Sequence, residues 1–144
     1  MAQSSVLTIV DVAKATILAY NNKNWDAVRT ASAPNVVYDE VATGRNVRGV
    51  EDVIKVWRGW AEAFPDSKAT FQHEFVSGNT VVLELTWRGT HKGPLQTPDG
   101  TLPPTGKTIN FRACQVIEVN GDKATSIRQY FDMATLLQQL GASL

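Results

Sequence analysis

The sequence predicts an α+β cone, in which N-terminal helices close one face of a curved antiparallel sheet. Up to Phe64 the apolar residues recur at steps of three and four, the helical repeat; from Ser67 onward they recur at every second position, the strand repeat. A chain of 144 residues suits a single domain, 1–144, with a substantial core. A meander that is apolar on one face needs a cover, and the two N-terminal amphipathic stretches are available to provide it.

Val6, Val10, Ala13, Ile17 and Tyr20 form the first stripe, with Ser4 or Ser5 as the expected N-cap. Asn21 and Asn22 end that helix, and Asn24 is placed to cap a short one from Trp25 to Ala31. Pro34 breaks the chain before a strand around Val36 to Glu40, and Gly44 to Gly49 reads as a loop. Val50, Val53, Ile54, Trp57, Ala61 and Phe64 give a second stripe, ended by Pro65-Asp66. Phe71, His73 and Phe75 then alternate with polar neighbours, and Ser77-Gly78-Asn79 makes a turn. Val81, Leu83, Leu85 and Trp87 mark the next strand; Ile109, Phe111, Ala113, Gln115 and Ile117 mark another. Asn120-Gly121 signals a tight hairpin into a strand of about Ala124 to Phe131, followed by a terminal helix. The stretch Lys92 to Gly106 holds four of the six prolines and reads as a stiffened loop at the rim of the cone, or as a solvated connection.

Formal net charge is zero, so no basic field is available to attract nucleic acid or an anionic membrane. With 43% hydrophobic and 19% charged residues the composition is that of an ordinary globule. The lone Cys114 rules out an intramolecular disulfide and a cysteine-based metal cluster, and the two histidines are far apart in sequence. The N-terminus lacks the basic and apolar regions of a secretory signal, which makes the cytoplasm the expected compartment.

Three phrases carry a family likeness: Gly89-Thr90-His91-Lys92-Gly93-Pro94, Pro104-Thr105-Gly106-Lys107, and Tyr130-Phe131-Asp132 followed by Leu136-Leu137-Gln138-Gln139-Leu140-Gly141. With the order of elements, they resemble the SnoaL-like polyketide cyclases and ester cyclases of the nuclear-transport-factor-2-like superfamily. The resemblance implies ring closure of a hydrophobic polyketide-type ester by intramolecular aldol condensation, with neither cofactor nor metal. It implies Asp132 as the acid and base, Tyr20 as a pocket-lining residue, and a homodimer paired through the outer face of the sheet.

The residues themselves fit parts of that chemistry. A carboxylate sheltered from water gains basicity, and one held at a strand end beside a hollow can pass a proton between carbon and oxygen. His73 lies between Phe71 and Phe75, on the apolar parity of its strand, and His91 shares parity with Leu85 and Trp87. Either could donate to an enolate oxygen, as could Tyr130. Trp87 is expected near the pocket mouth. Arg128 and Tyr130 share parity with Asp132 and would face the cavity with it, yet Ile127 and Phe131 compete for the inward face. Arg128 could instead pair with Asp132 and hold its acidity high. Asp132 is also a favoured N-cap for the helix that follows. Isomerisation, dehydration, epoxide hydrolysis and non-catalytic small-molecule binding or dimerisation are further expectations for this architecture, because fold alone does not set chemistry.

Overall fold

Thr8 starts the first helix. In the computed structural model, which describes residues 8–142, the Thr8 hydroxyl accepts from the Asp11 N–H and the Asp11 carboxylate accepts from the Thr8 N–H, a reciprocal cap. Ser4, Ser5 and Val6 lie outside the described residues. Helix α1 (Ile9–Asn21) buries Ala13, Ile17 and Tyr20 as its spacing requires, together with Val12, Thr16 and Ala19. The Asn24 side chain accepts from the Ala27 N–H and opens α2 (Trp25–Ala31).

Strand β1 (Ser32–Glu40) alternates cleanly at its end, burying Val36, Tyr38 and Glu40. The stretch read as a loop contains a short strand, β2 (Arg45–Arg48), which folds back on β1 and occupies its free edge. Helix α3 (Val50–Ala63) buries Val53, Ile54, Trp57 and Ala63 and stops at Phe64, because Pro65 has no N–H to continue it. The chain then runs through β3 (Lys68–Ser77) and β4 (Thr80–Thr90). The proline-rich connection holds its own small hairpin, β5 (Leu95–Thr97) and β6 (Gly100–Leu102). Two long strands, β7 (Thr108–Asn120) and β8 (Lys123–Phe131), lead to α4 (Met133–Gln139).

The main sheet has the order β2-β1-β8-β7-β4-β3. The sheet expected from sequence is antiparallel; the observed one is mixed, because β8 inserts beside β1 and runs parallel to it. Helix α1 lies on β3, β4, β7 and β8, while α3 covers β1 and β2. The larger core cluster fills the space between these helices and the sheet; a smaller one, around Phe64, Leu95, Ile109, Leu136 and Leu140, closes the end under α4. No helix among the described residues is long and apolar enough to cross a membrane.

One irregularity redirects a predicted site residue. A bulge between Phe71 and His73 shifts the register of β3 against β4, so Phe71 pairs with Leu85 but His73 pairs with Glu84. Beyond the bulge the alternation is inverted. His73 therefore faces outward, two-thirds exposed, with its Nδ1 3.2 Å from a Glu84 oxygen.

Candidate functional site: an aromatic cavity floored by a chain of hydrogen bonds

Between α1, α3 and the concave side of the sheet lies a cavity of about 50 Å³. Its walls are aromatic: Trp57 and Trp60 come from α3, Trp87 from β4, Phe111 from β7 and Phe131 from β8. Tyr20, at the last turn of α1, packs edge-on against Trp87 with ring centroids 5.2 Å apart, and Tyr38 packs edge-on against Trp57 at 5.6 Å. Edge-to-face contacts of this kind fix the ring planes, so the hollow is held open by packing rather than by loops.

Four polar side chains reach this wall: Tyr20, Tyr38, Gln115 and Gln129. Gln115 and Gln129 are direct partners across β7 and β8, and both project inward. The Gln115 amide nitrogen donates to the Gln129 oxygen at 2.9 Å, an oxygen that also accepts from the Trp87 indole at 2.9 Å. The Gln129 nitrogen donates to the Tyr38 hydroxyl at 2.9 Å, which in turn donates to Glu40 Oε2 at 2.7 Å.

Glu40 anchors the far end of this chain. It is fully buried, yet well supplied with donors: Trp60 Nε1 at 2.8 Å, Thr43 Oγ1 at 2.6 Å, and Arg45 through Nε at 3.0 Å and Nη2 at 2.7 Å. A buried carboxylate is tolerable only with such satisfaction. Burial pushes the Tyr38 hydroxyl pKa well above its ordinary value, and the neighbouring Glu40 charge pushes it further. Burial likewise lifts Tyr20 to about 12, against a smaller opposing effect of its 2.6 Å hydrogen bond with Ser67. No carboxylate or imidazole lines the wall among the described residues.

Asp132 is not in this hollow, which corrects the inward orientation expected for it. The inward residues of the last strand are Ile127, Gln129 and Phe131, so the carboxylate one step beyond falls on the other side. It is exposed and caps α4, accepting from the N–H groups of Ala134 at 2.9 Å and Thr135 at 3.3 Å and from the Thr135 hydroxyl at 2.8 Å. Those bonds, the Thr135 hydroxyl first, hold its carboxyl below the usual range, the opposite of what a base requires.

The same parity moves Arg128 and Tyr130 outside. Arg128 pairs with Glu118 at 2.9 Å on the outer face, not with Asp132, and Tyr130 is 43% exposed. His91 is fully buried but lies behind the wall, tilted against Phe64 at 5.2 Å between ring centroids. Its Nδ1 accepts from the Thr105 N–H at 3.2 Å and ties the proline-rich segment to the end of β4. Trp87 and Tyr20 do line the cavity. Gln115, Gln129, Tyr38 and Glu40 were not singled out from sequence. Their signal was present, since each is a polar group on the apolar parity of its strand.

The fold and its site together define an α+β cone whose helix-covered concave face holds a largely aromatic hollow with a few polar groups. The family model of the SnoaL-like polyketide cyclases matches residues 10–140, and the chain belongs to that family. Solved structures with the same fold include a candidate SnoaL-like polyketide cyclase from Jannaschia sp. CCS1, 18% identical, with a TM-score of 0.84 over 100% of this chain and 99% of that one. IdmH, a candidate polyketide cyclase from Streptomyces antibioticus, is 25% identical, with a TM-score of 0.81 over 94% of this chain and 100% of its own. An LEH-like epoxide hydrolase from M. tuberculosis is 20% identical, with a TM-score of 0.70 over 92% and 88%. No curated protein matches the chain. The fold is thus nuclear-transport-factor-2-like, with an open curved sheet rather than a closed barrel.

Proposed function

We propose that this protein binds a hydrophobic small molecule of polyketide type in the aromatic cavity and assists its ring closure by confinement and hydrogen bonding, without a carboxylate base on the cavity wall. The observation that carries this reading is the wall itself: largely aromatic, with Ile17 and Ile109 completing its apolar surface and two amides and two phenols of suppressed acidity among its polar groups. An intramolecular aldol addition needs no second reactant, because the proton lost from carbon is the one the new alkoxide gains. Holding both reacting carbons of one molecule in contact removes much of the barrier. Amide groups placed in a dry site orient the carbonyl-bearing chain.

The test is a panel of multi-carbonyl polyketide esters, with binding read from quenching of the cavity tryptophans and ring closure read from product. Binding is expected, with ring closure undiminished in Asp132→Asn. Failure of every ester to bind overturns the reading. So does an Asp132→Asn protein that binds normally but no longer closes the ring, since that result returns the proton transfer to the carboxylate.

A further inference from the structure

We infer that Glu40 is a positioning residue for the cavity wall: its hydrogen bond to the Trp60 indole limits the size of ligand the cavity admits. The inference deepens the small-molecule reading above and rests on it. A mismatch of size, a wall residue with room to move, and one oxygen that holds that residue carry it together.

The hollow measures about 50 Å³. A hollow of roughly 150 Å³ is what a single benzene molecule occupies in a protein core. An aromatic or multi-carbonyl ester therefore enters only where the wall gives way. The floor offers no such freedom, because β7 and β8 are each paired on both edges. Of the wall residues carried by helices, Ile17, Tyr20 and Trp57 are buried, and the Tyr20 hydroxyl is tied to Ser67. Trp60 is only half-buried, stacked on Phe64 and edge-on to Phe131, so its ring is the part of the helix wall with room to move.

Glu40 holds that ring in place. Its Oε2 accepts from Trp60 Nε1 at 2.8 Å and from the Tyr38 hydroxyl at 2.7 Å, so one oxygen ties a ring on α3 to a ring on β1. The other oxygen is taken by Arg45, through two nitrogens, and by Thr43. The carboxylate is thereby fixed to the β1–β2 turn and cannot follow the indole outward. A ligand that pushes Trp60 past hydrogen-bond reach breaks a bond to a charged group; a smaller ligand leaves the bond intact.

An amide at this position separates holding the ring from merely filling the space. Gln has one acceptor oxygen where Glu has two. In Glu40→Gln that oxygen turns to the guanidinium, which has only donors, and the amide nitrogen meets the indole N–H, donor against donor. With Arg45 also replaced by Leu, the oxygen is free to take the indole again while the nitrogen donates to the Thr43 hydroxyl.

The experiment measures binding of methyl benzoate and methyl 2-naphthoate, neutral esters of one and two rings, by equilibrium dialysis. In Glu40→Gln the ratio of the two affinities is expected to move about tenfold or more toward the two-ring ester. In the double variant Glu40→Gln/Arg45→Leu it is expected to return to that of the unaltered protein, a rescue that general loosening of the fold would not give. Trp60→Phe removes the donor and leaves Glu40 its other partners, and it is expected to move the ratio in the same direction. That variant decides the matter if Glu40→Gln does not fold. An unchanged ratio, or a shifted one that Arg45→Leu fails to reverse, overturns the inference and leaves the cavity reading standing. Failure of both esters to bind the unaltered protein and every variant removes the cavity reading and this inference with it.

Discussion

The Trp87 indole and the Gln129 amide meet at 2.9 Å from strands that are not neighbours: β7 runs between β4 and β8, and the two side chains reach each other above it. The contact bridges two strands of the sheet across β7 and orients the Gln129 amide between Gln115 and Tyr38. Trp87→Phe is expected to lower stability by about 1–3 kcal/mol, the cost of a lost buried hydrogen bond together with lost packing, while the Gln129 oxygen keeps the Gln115 amide as a donor. Gln129→Leu strands the Trp87 and Gln115 donors and should cost at least as much. The double variant should be about 1 kcal/mol less destabilised than the sum, because the second change no longer breaks an existing bond. Urea unfolding of the four proteins measures this; strict additivity would show the pair to be independent.

Asp132 is expected to behave as a cap and not as a base. Asn caps a helix about as well as Asp, so Asp132→Asn should keep α4 protected, whereas Asp132→Ala should speed amide exchange at Leu136 and Leu140. The pH dependence follows from the lowered pKa. The folded value lies below the ordinary 3.8, so the charged cap contributes stability above that value and loses it as pH falls through the lower folded one. Acid titration of the unfolding midpoint should show this component in the unaltered chain and not in Asp132→Asn.

The alternation of β4 and β7 and the stripes of α1 and α3 were legible because each obeys one period from end to end. The helix-covered cone follows from them. Strand parity alone does not place His73 or Asp132. Counting in twos from Phe71 puts His73 inward, but the bulge after Phe71 adds one residue to that count, and nothing in the residues around it marks the bulge. For Asp132 the inward role comes from the family resemblance, while the strand before it has two partly apolar faces and leaves its parity open; the pairing of β8 between β1 and β7 turns Gln129 and Phe131 inward and leaves Asp132 as the cap that the sequence also allows. The parallel pairing of β1 with β8 joins segments distant in sequence, and the local pattern of neither records it. The polar floor was visible in outline, as Gln115 among Ile109, Phe111, Ala113 and Ile117, and its meaning depended on Tyr38 and Glu40 arriving from β1.

His91 should weaken the fold in mild acid. Burial pushes its pKa below 6.5, with the Gly93 backbone offsetting part of the effect. As pH falls below 6.5 the unfolded chain takes up a proton that the folded chain refuses, so stability declines until pH passes the lower folded value. His91→Asn keeps an acceptor for the Thr105 N–H and removes the titration. Its unfolding midpoint is expected to be flatter across that window than that of the unaltered protein. An identical slope in both would assign the acid sensitivity to other groups.

Gly93 and Gly59 separate a close backbone approach from an idle glycine. A Cβ on Gly93 would stand 2.0 Å from the Glu62 carbonyl oxygen and 2.8 Å from its carbon, both backbone atoms at the end of α3. The approach exists because the N–H groups of Lys92 and Gly93 donate to the Ala63 carbonyl at 2.9 and 3.1 Å, docking the proline-rich segment onto the helix that supplies Trp57 and Trp60. Gly93→Ala must push that segment away and should cost about 1–3 kcal/mol. Gly59 is exposed within α3, and a Cβ there meets nothing within 4 Å. Gly59→Ala should therefore stabilise by about 0.5–1 kcal/mol through helix propensity. Thermal melts of the two variants should move in opposite directions. If Gly93→Ala melts with the unaltered protein, the contact is not holding the segment, and the wall of the cavity formed by α3 does not depend on it.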